Sequence, residues 1–336
     1  MVSSGLQVLL SAIAFLLLAI WILTFKFFDR RTRFEFYALD FCWGALILTL
    51  ISAWILGNVG GEAGISERLL LSSKTAQALM LLSGFIFGLG VLALLGSIRI
   101  LGTGLALLVA VSVAGIPAAG LAITGSGFVR PAIALALMLV ALLTGFRAAR
   151  GQDGPPPAPP SNRRPPPLPV FRQSTKGLAL AGLAGIFFGI AGPLALFGTG
   201  SDFGLGAYAG LLVFTIGIPV AVIPFSFFLL HVTVDLPPTS LASYWRRRSG
   251  AGKTVRHRWG LFGGLLWAGG ALAYLFYRLS PPPENDGHAT LVAVAAPVFA
   301  ALAALLFLKE GSKTRARASL WIGFVAFAAG VLLTAA

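Results

Sequence analysis

Between Arg147 and Lys176 the chain reads R-A-A-R-G-Q-D-G-P-P-P-A-P-P-S-N-R-R-P-P-P-L-P-V-F-R-Q-S-T-K, with nine prolines from Pro155 to Pro169. Each proline lacks an N–H and locks φ, so no regular helix runs through the tract. It favours extended polyproline II and acts as a semi-rigid, solvated spacer. Its Pro-x-x-Pro spacing also fits an SH3-type ligand, but a linker needs no such reader. What surrounds it is 57% hydrophobic by overall composition and only 11% charged, where soluble domains carry roughly 25% charged residues. No water-soluble fold hides so much apolar surface. The reading is an all-α integral membrane protein with three parts: a membrane half over 1–147, a cytoplasmic Pro-rich linker over 148–176, and a second membrane half over 177–336.

Apolar runs long enough to cross about 30 Å of hydrocarbon lie at 5–26, 38–57, 76–98, 101–124, 129–147, 177–198, 205–230, 259–278, 289–308 and 317–335. Ten spans are therefore expected, five on each side of the linker. The first has neither a basic n-region nor an A-x-A site, so it reads as a span and not a cleaved signal. Loops after odd-numbered spans hold 21 of the 25 Lys and Arg residues. The positive-inside rule then makes those loops cytoplasmic and both termini external, in an inner (cell) membrane. A net charge of +14 is thereby a topology signal and implies no nucleic acid partner; the basic run Arg246–Arg248 reads as an anchor on anionic membrane lipid.

Chemistry of the enzymatic kind finds little to stand on. Cys42 is the single cysteine, and the three histidines are far apart, so neither a disulfide nor a metal site is expected. Ser249-Gly-Ala-Gly-Lys-Thr254 imitates a P-loop but lacks its first glycine, and no strand precedes it. No nucleophile elbow or HExxH is present, so the reading is not an enzyme and takes no cofactor.

An odd number of spans per half makes a second copy run in the opposite sense, so homologous halves would be inverted repeats. Gly84-Phe-Ile-Phe-Gly-Leu-Gly90 in span three is similar to Gly264-Leu-Leu-Trp-Ala-Gly-Gly270 in span eight. Small residues at such spacing let helix backbones approach closely in lipid. Pro117, Pro193, Pro219, Pro224 and Pro297 fall in or near spans, where they bend helices.

The most distinctive stretch is Trp21-Ile-Leu-Thr-Phe-Lys-Phe-Phe-Asp-Arg-Arg-Thr-Arg-Phe-Glu-Phe-Tyr-Ala-Leu-Asp40. It resembles the end of the first helix and the following loop in ureide permeases and glucose/ribose porters, a branch of the EamA-like drug/metabolite transporter superfamily. Trp21, Thr24, Lys26, Arg33, Phe34, Glu35 and Asp40 fall on that pattern without a gap. Gly263–Gly270 with Trp267, and Pro297 with Lys309-Glu310, are also similar. The chain departs from it at Leu17-Leu18-Ala19-Ile20, where the family has Pro-Trp-Gly-Ser, and at Leu23, where the family has Asn. The resemblance implies alternating-access transport of a small polar solute such as a ureide, nucleobase or sugar. The rival reading, favoured by the departures, is a non-transporting membrane sensor or scaffold that keeps the fold.

Two groups of residues are candidates for the work. Gly263, Trp267, Gly270 and Tyr274 recur at helical spacing, so Trp21, Thr24, Trp267 and Tyr274 are expected to line a central substrate cavity, with rings for stacking and hydroxyls for orientation. Lys26, Arg33, Glu35 and Asp40 lie at the expected cytoplasmic mouth of spans one and two, either as a gate of ion pairs or as a solvated cluster that only sets topology. No carboxylate falls mid-span, so a coupling proton or cation would have to be carried by Asp40 from the interface; otherwise the protein is a facilitator or exchanger. The topology is checked by cysteine labelling with an impermeant reagent in a Cys42→Ser background. Ser73→Cys should react in intact cells and Ser161→Cys should not; the reverse pattern overturns the orientation.

Overall fold

A chain that cannot hydrogen-bond to lipid must satisfy its backbone within itself, and an apolar segment of this length does so as an α-helix. The computed structural model describes residues 4–28, 32–57, 64–125, 129–150, 173–199, 204–232, 234, 236–246, 254–279, 286–307 and 314–335. These form helices α1 (Ser4–Thr24), α2 (Phe34–Leu56), α3 (Ile65–Leu71), α4 (Lys74–Leu101), α5 (Thr103–Gly125), α6 (Val129–Arg150), α7 (Gln173–Thr199), α8 (Gly206–Leu230), α9 (Ala242–Arg246), α10 (Thr254–Leu279), α11 (Asp286–Leu306) and α12 (Thr314–Ala335), with a 3-10 turn Phe25–Phe27 after α1. No strand occurs among the described residues. Seven of the helices (α1 with its turn, α2, α4, α6, α7, α8 and α10) are long and apolar enough to cross a membrane. Shorter apolar stretches, 103–117, 295–306 and 318–333, lie in α5, α11 and α12. The protein is thus an all-α, multi-pass membrane protein. The central Pro-rich tract, most of the P-loop-like segment and Lys309-Glu310 lie outside the described residues.

Helix boundaries differ from the sequence reading by a few residues at several ends. The chain enters α2 at Phe34, four residues before the expected span, and so draws Glu35 and Tyr37 into the helix along with Asp40, which the expected span already held. The expected break between spans three and four, at 99–100, moves to Gly102, whose φ of 87° is a left-handed conformation that glycine adopts without strain. Short helices α3 and α9 occupy what read as plain loops; both are too brief for hydropathy to reveal.

Helix packing centres on two close crossings, α2 on α10 and α4 on α8. At the first, a Cβ on Gly44 would overlap the Leu261 carbonyl and crowd the Leu265 N–H, and one on Gly264 would overlap the Phe41 carbonyl. At the second, a Cβ on Gly217 would overlap the Leu81 carbonyl and crowd the Phe85 N–H, and one on Gly84 would overlap the Phe214 carbonyl. Backbone therefore lies directly on backbone in both. Around them, α4 packs on α7, α10 on α1, α5 on α7 and α6, α11 on α1 and α12, and α6 on α12. Ser83 Oγ donates to the Ala191 carbonyl at 2.6 Å and Ser97 Oγ to the Gly177 carbonyl at 2.9 Å, fixing α4 against α7 by polar contacts as well.

Candidate functional site

The candidate residues collect where α1, α2 and α10 meet. Trp21 ends α1 against Phe41 of α2, with ring centroids 5.2 Å apart. Phe41 lies 5.7 Å from Trp267 of α10. Trp267 continues the layer to Phe87 of α4 at 4.9 Å and Phe214 of α8 at 5.9 Å. Trp21 and Trp267 are each 5% exposed, so these rings are packed against each other and not held apart around a space. Thr24 Oγ1 donates to the Trp21 carbonyl at 2.6 Å and shares a 2.5 Å hydrogen bond with the Tyr37 hydroxyl. Gly263 lies directly beneath that pair, since a Cβ there would run into both hydroxyls. The structure thus brings Trp21, Thr24 and Trp267 into one buried layer. Tyr274 stands seven residues beyond Trp267 on α10, about 10 Å along the axis, and is half-buried.

Three of the charged candidates, Arg33, Glu35 and Asp40, form a second layer just below, and they are buried. Arg33 and Glu35 are 3% and 0% exposed. Their pairing is two-pronged, Nε to Oε2 at 3.1 Å and Nη2 to Oε1 at 2.6 Å, the geometry that suits guanidinium and carboxylate. The same guanidinium donates to the carbonyls of Leu229 (2.6 Å), Val232 (3.1 Å), Leu236 (3.0 Å) and Pro237 (3.0 Å). Carbonyls at the end of a helix lack intrahelical donors and carry partial negative charge; Arg33 caps the C-terminus of α8 and pins the chain that follows it. Arg99 does similar work for the turn before α2, donating to the Thr32 carbonyl at 2.6 Å with its guanidinium 6.0 Å from the Phe25 ring. Lys26, in the 3-10 turn, is half-buried.

Asp40 sits one turn deeper, 5% exposed. Its carboxylate accepts the Tyr244 hydroxyl at 2.6 Å and the His257 Nδ1–H at 2.8 Å. Tyr244 stands between the rings of Phe36 (5.4 Å) and His257 (4.8 Å), so α2, α9 and α10 converge on one carboxylate. Tyr37, Tyr244 and His257 were not foreseen from the sequence. Tyr37 lay inside the motif that carries the resemblance, whereas Tyr244 and His257 reach Asp40 from across the chain and carry no local signal. Together the contacts gather the Arg33-side ends of α1, α2, α4, α8 and α10. Among the described residues no three His, Cys, Asp or Glu side chains cluster closely enough to hold a metal ion.

No model of a known protein family matches the chain, and no curated protein matches it significantly.

The buried pair makes a quantitative demand. Arg33→Ala leaves Glu35 charged without its partner and strips four carbonyls of their donor; breaking such a pair costs about 3–5 kcal/mol. Denaturant unfolding in detergent should show a loss of that order, partly recovered in Arg33→Ala/Glu35→Ala. A loss under about 1 kcal/mol, the value of an exposed pair, would mean that the cluster is solvated after all.

Proposed function

We propose that the chain is an alternating-access transporter of ten spans, built as two inverted five-helix halves, held here with its cytoplasmic side closed, and that it moves a small polar solute of the ureide, nucleobase or sugar kind. The observation that carries this reading is the repetition of the helix crossing at equal intervals. Leu81, Gly84, Phe85 and Phe87 on α4 stand to Phe214 and Gly217 on α8 as Leu261, Gly264, Leu265 and Trp267 on α10 stand to Phe41 and Gly44 on α2. Phe87 and Trp267 are then equivalent positions, and their rings meet, as side chains on a two-fold axis must. The neighbour relations agree with the exchange of α1 for α7, α2 for α8, α4 for α10, α5 for α11 and α6 for α12: α4 on α7 answers α10 on α1, and α5 on α7 answers α11 on α1. Inverted halves that meet on such an axis are a common architecture of secondary transporters.

On this reading Arg33–Glu35 and Asp40 with Tyr244 and His257 form the closed inner gate. Opening it separates α2 from α9 and from the end of α8, and the aromatic layer must part for a solute to enter. The nearest polar groups are the hydroxyls of Thr24 and Tyr37, which now satisfy each other; a solute would take over that bond while stacking on Trp21 or Trp267. A coupling proton or cation, if the cycle uses one, has Asp40 as its carboxylate. The packing of Trp267 among Phe41, Phe87 and Phe214 supports the second reading, a non-transporting sensor or scaffold with the same fold.

Thermal-shift screening against allantoin, uracil, xanthine and simple hexoses separates the two. For a ligand that shifts the protein, Thr24→Val should cost about 0.5–1.5 kcal/mol and Trp267→Ala about as much beyond its area, several-fold to about tenfold in Kd. A ligand that binds both variants as tightly as the parent removes these residues from the site, and a panel with no shift at all favours the non-transporting reading.

A further inference from the structure

On the outer flank of the Arg33 end, α2, α8 and α9 enclose an apolar groove of about 140 Å³. Its floor is Leu39, Cys42 and Tyr244, all buried; its rims are Trp43, Phe227 and Trp245, exposed by 52, 44 and 55%. From Leu39 to Leu46 it follows α2 for about 10 Å, from the end of the helix toward its middle. The walls continue into side chains that face outward from the bundle, Ile47 and Ile51 on α2 and Val220 and Ile223 on α8. On a soluble protein such a patch would call for a protein partner. On a membrane-spanning bundle the solvent at this depth is hydrocarbon, so the molecule in constant supply is a lipid chain. A void lined by apolar atoms forfeits their dispersion contacts, and apolar cavities of about 150 Å³ accept a ligand the size of benzene, so a short run of methylenes fits.

The Arg33 end of the groove, and the sequence that follows it, point to the class of lipid. Tryptophan and tyrosine favour the headgroup level of a bilayer, and Tyr244 and Trp245 stand at the Arg33 end. The sequence passes from Trp245 straight into Arg246, Arg247 and Arg248, a basic run that attracts anionic headgroups. Tyr244 also has a second duty, since its hydroxyl holds Asp40. Whatever fills the groove lies against the ring that closes the carboxylate cluster.

We propose that this groove binds an acyl chain of an anionic phospholipid from the leaflet on the Arg33 side, and that the bound chain keeps Tyr244 seated on Asp40. The proposal rests on the membrane-spanning fold and not on transport, so it stands or falls separately from the reading above.

The test uses the full chain in nanodiscs of phosphatidylglycerol or phosphatidylcholine, each doped with the same lipid carrying a diazirine on its acyl chain, with labelled peptides mapped by mass spectrometry. Phosphatidylglycerol should label segments 39–46 and 219–227 several-fold more than the outward face of α6 at Leu139 and Leu143, which is equally apolar and exposed. It should also raise the melting temperature above that in phosphatidylcholine. Ile223→Trp, which fills the groove from the α8 wall, should cut the labelling several-fold and abolish the difference in melting temperature; Leu46→Trp does the same from α2 if the first variant does not fold. Uniform labelling of both faces, labelling unchanged by either substitution, or cross-links between two copies through these segments would each overturn the proposal.

Discussion

Two places where backbone lies on backbone hold this bundle together. Lipid offers no hydrophobic drive for helices to associate, so their cohesion comes from close packing and from polar contacts between them. Glycine at 44, 84, 217 and 264 lets α2 meet α10 and α4 meet α8 at carbonyl contact. A side chain at any of the four would hold the crossing apart and loosen the rows of contacts on either side. Phe41, Phe87, Phe214 and Trp267 reach one another only because the helices that carry them are this close.

The charged layer depends on the same approach. A Cβ on Gly260, one turn before Gly264, would strike Asp40, so the carboxylate reaches His257 across a helix interface with no room to spare. Burying Asp40 and Glu35 in an apolar bundle is costly unless each charge is paired and its hydrogen bonds are met. Arg33 answers Glu35 and in the same stroke completes the end of α8, while Tyr244 and His257 answer Asp40. These contacts tie α2 to the end of α8, to α9 and to α10 at one end of the bundle.

Much of this was legible in the sequence, and the remainder was hidden for identifiable reasons. Runs of apolar residues located the helices, because a single long apolar segment in lipid satisfies its backbone within itself only as a helix. The likeness of Gly84–Gly90 to Gly264–Gly270 falls on two glycines that each lie against a carbonyl of a facing helix. The matching Phe-x-x-Gly of Phe41–Gly44 and Phe214–Gly217 is too short to stand out among apolar helices. Hydropathy placed the start of the second span after Glu35, since it counts a charge against a span whether or not that charge is paired. The guanidinium of Arg33, adjacent in sequence, is what lets the helix begin earlier. Trp21, Thr24 and Trp267 lie in one buried layer, but no pattern along a single helix tells whether facing rings line a space or fill it. Tyr244 and His257 escaped notice because their link to Asp40 exists only in three dimensions.

The equivalence of the two crossings is the claim on which the rest turns, and three alanine variants measure it. Gly84→Ala and Gly264→Ala each place a methyl group against a carbonyl of the facing helix, whereas Gly182, on α7, has open space beside it. Overpacking of a well-packed interface costs typically about 1–3 kcal/mol, while alanine in place of glycine favours a helix by about 1 kcal/mol where nothing obstructs it. Denaturant unfolding in detergent should therefore show similar losses for Gly84→Ala and Gly264→Ala and no loss for Gly182→Ala. Parent-like stability in either of the first two would contradict the account.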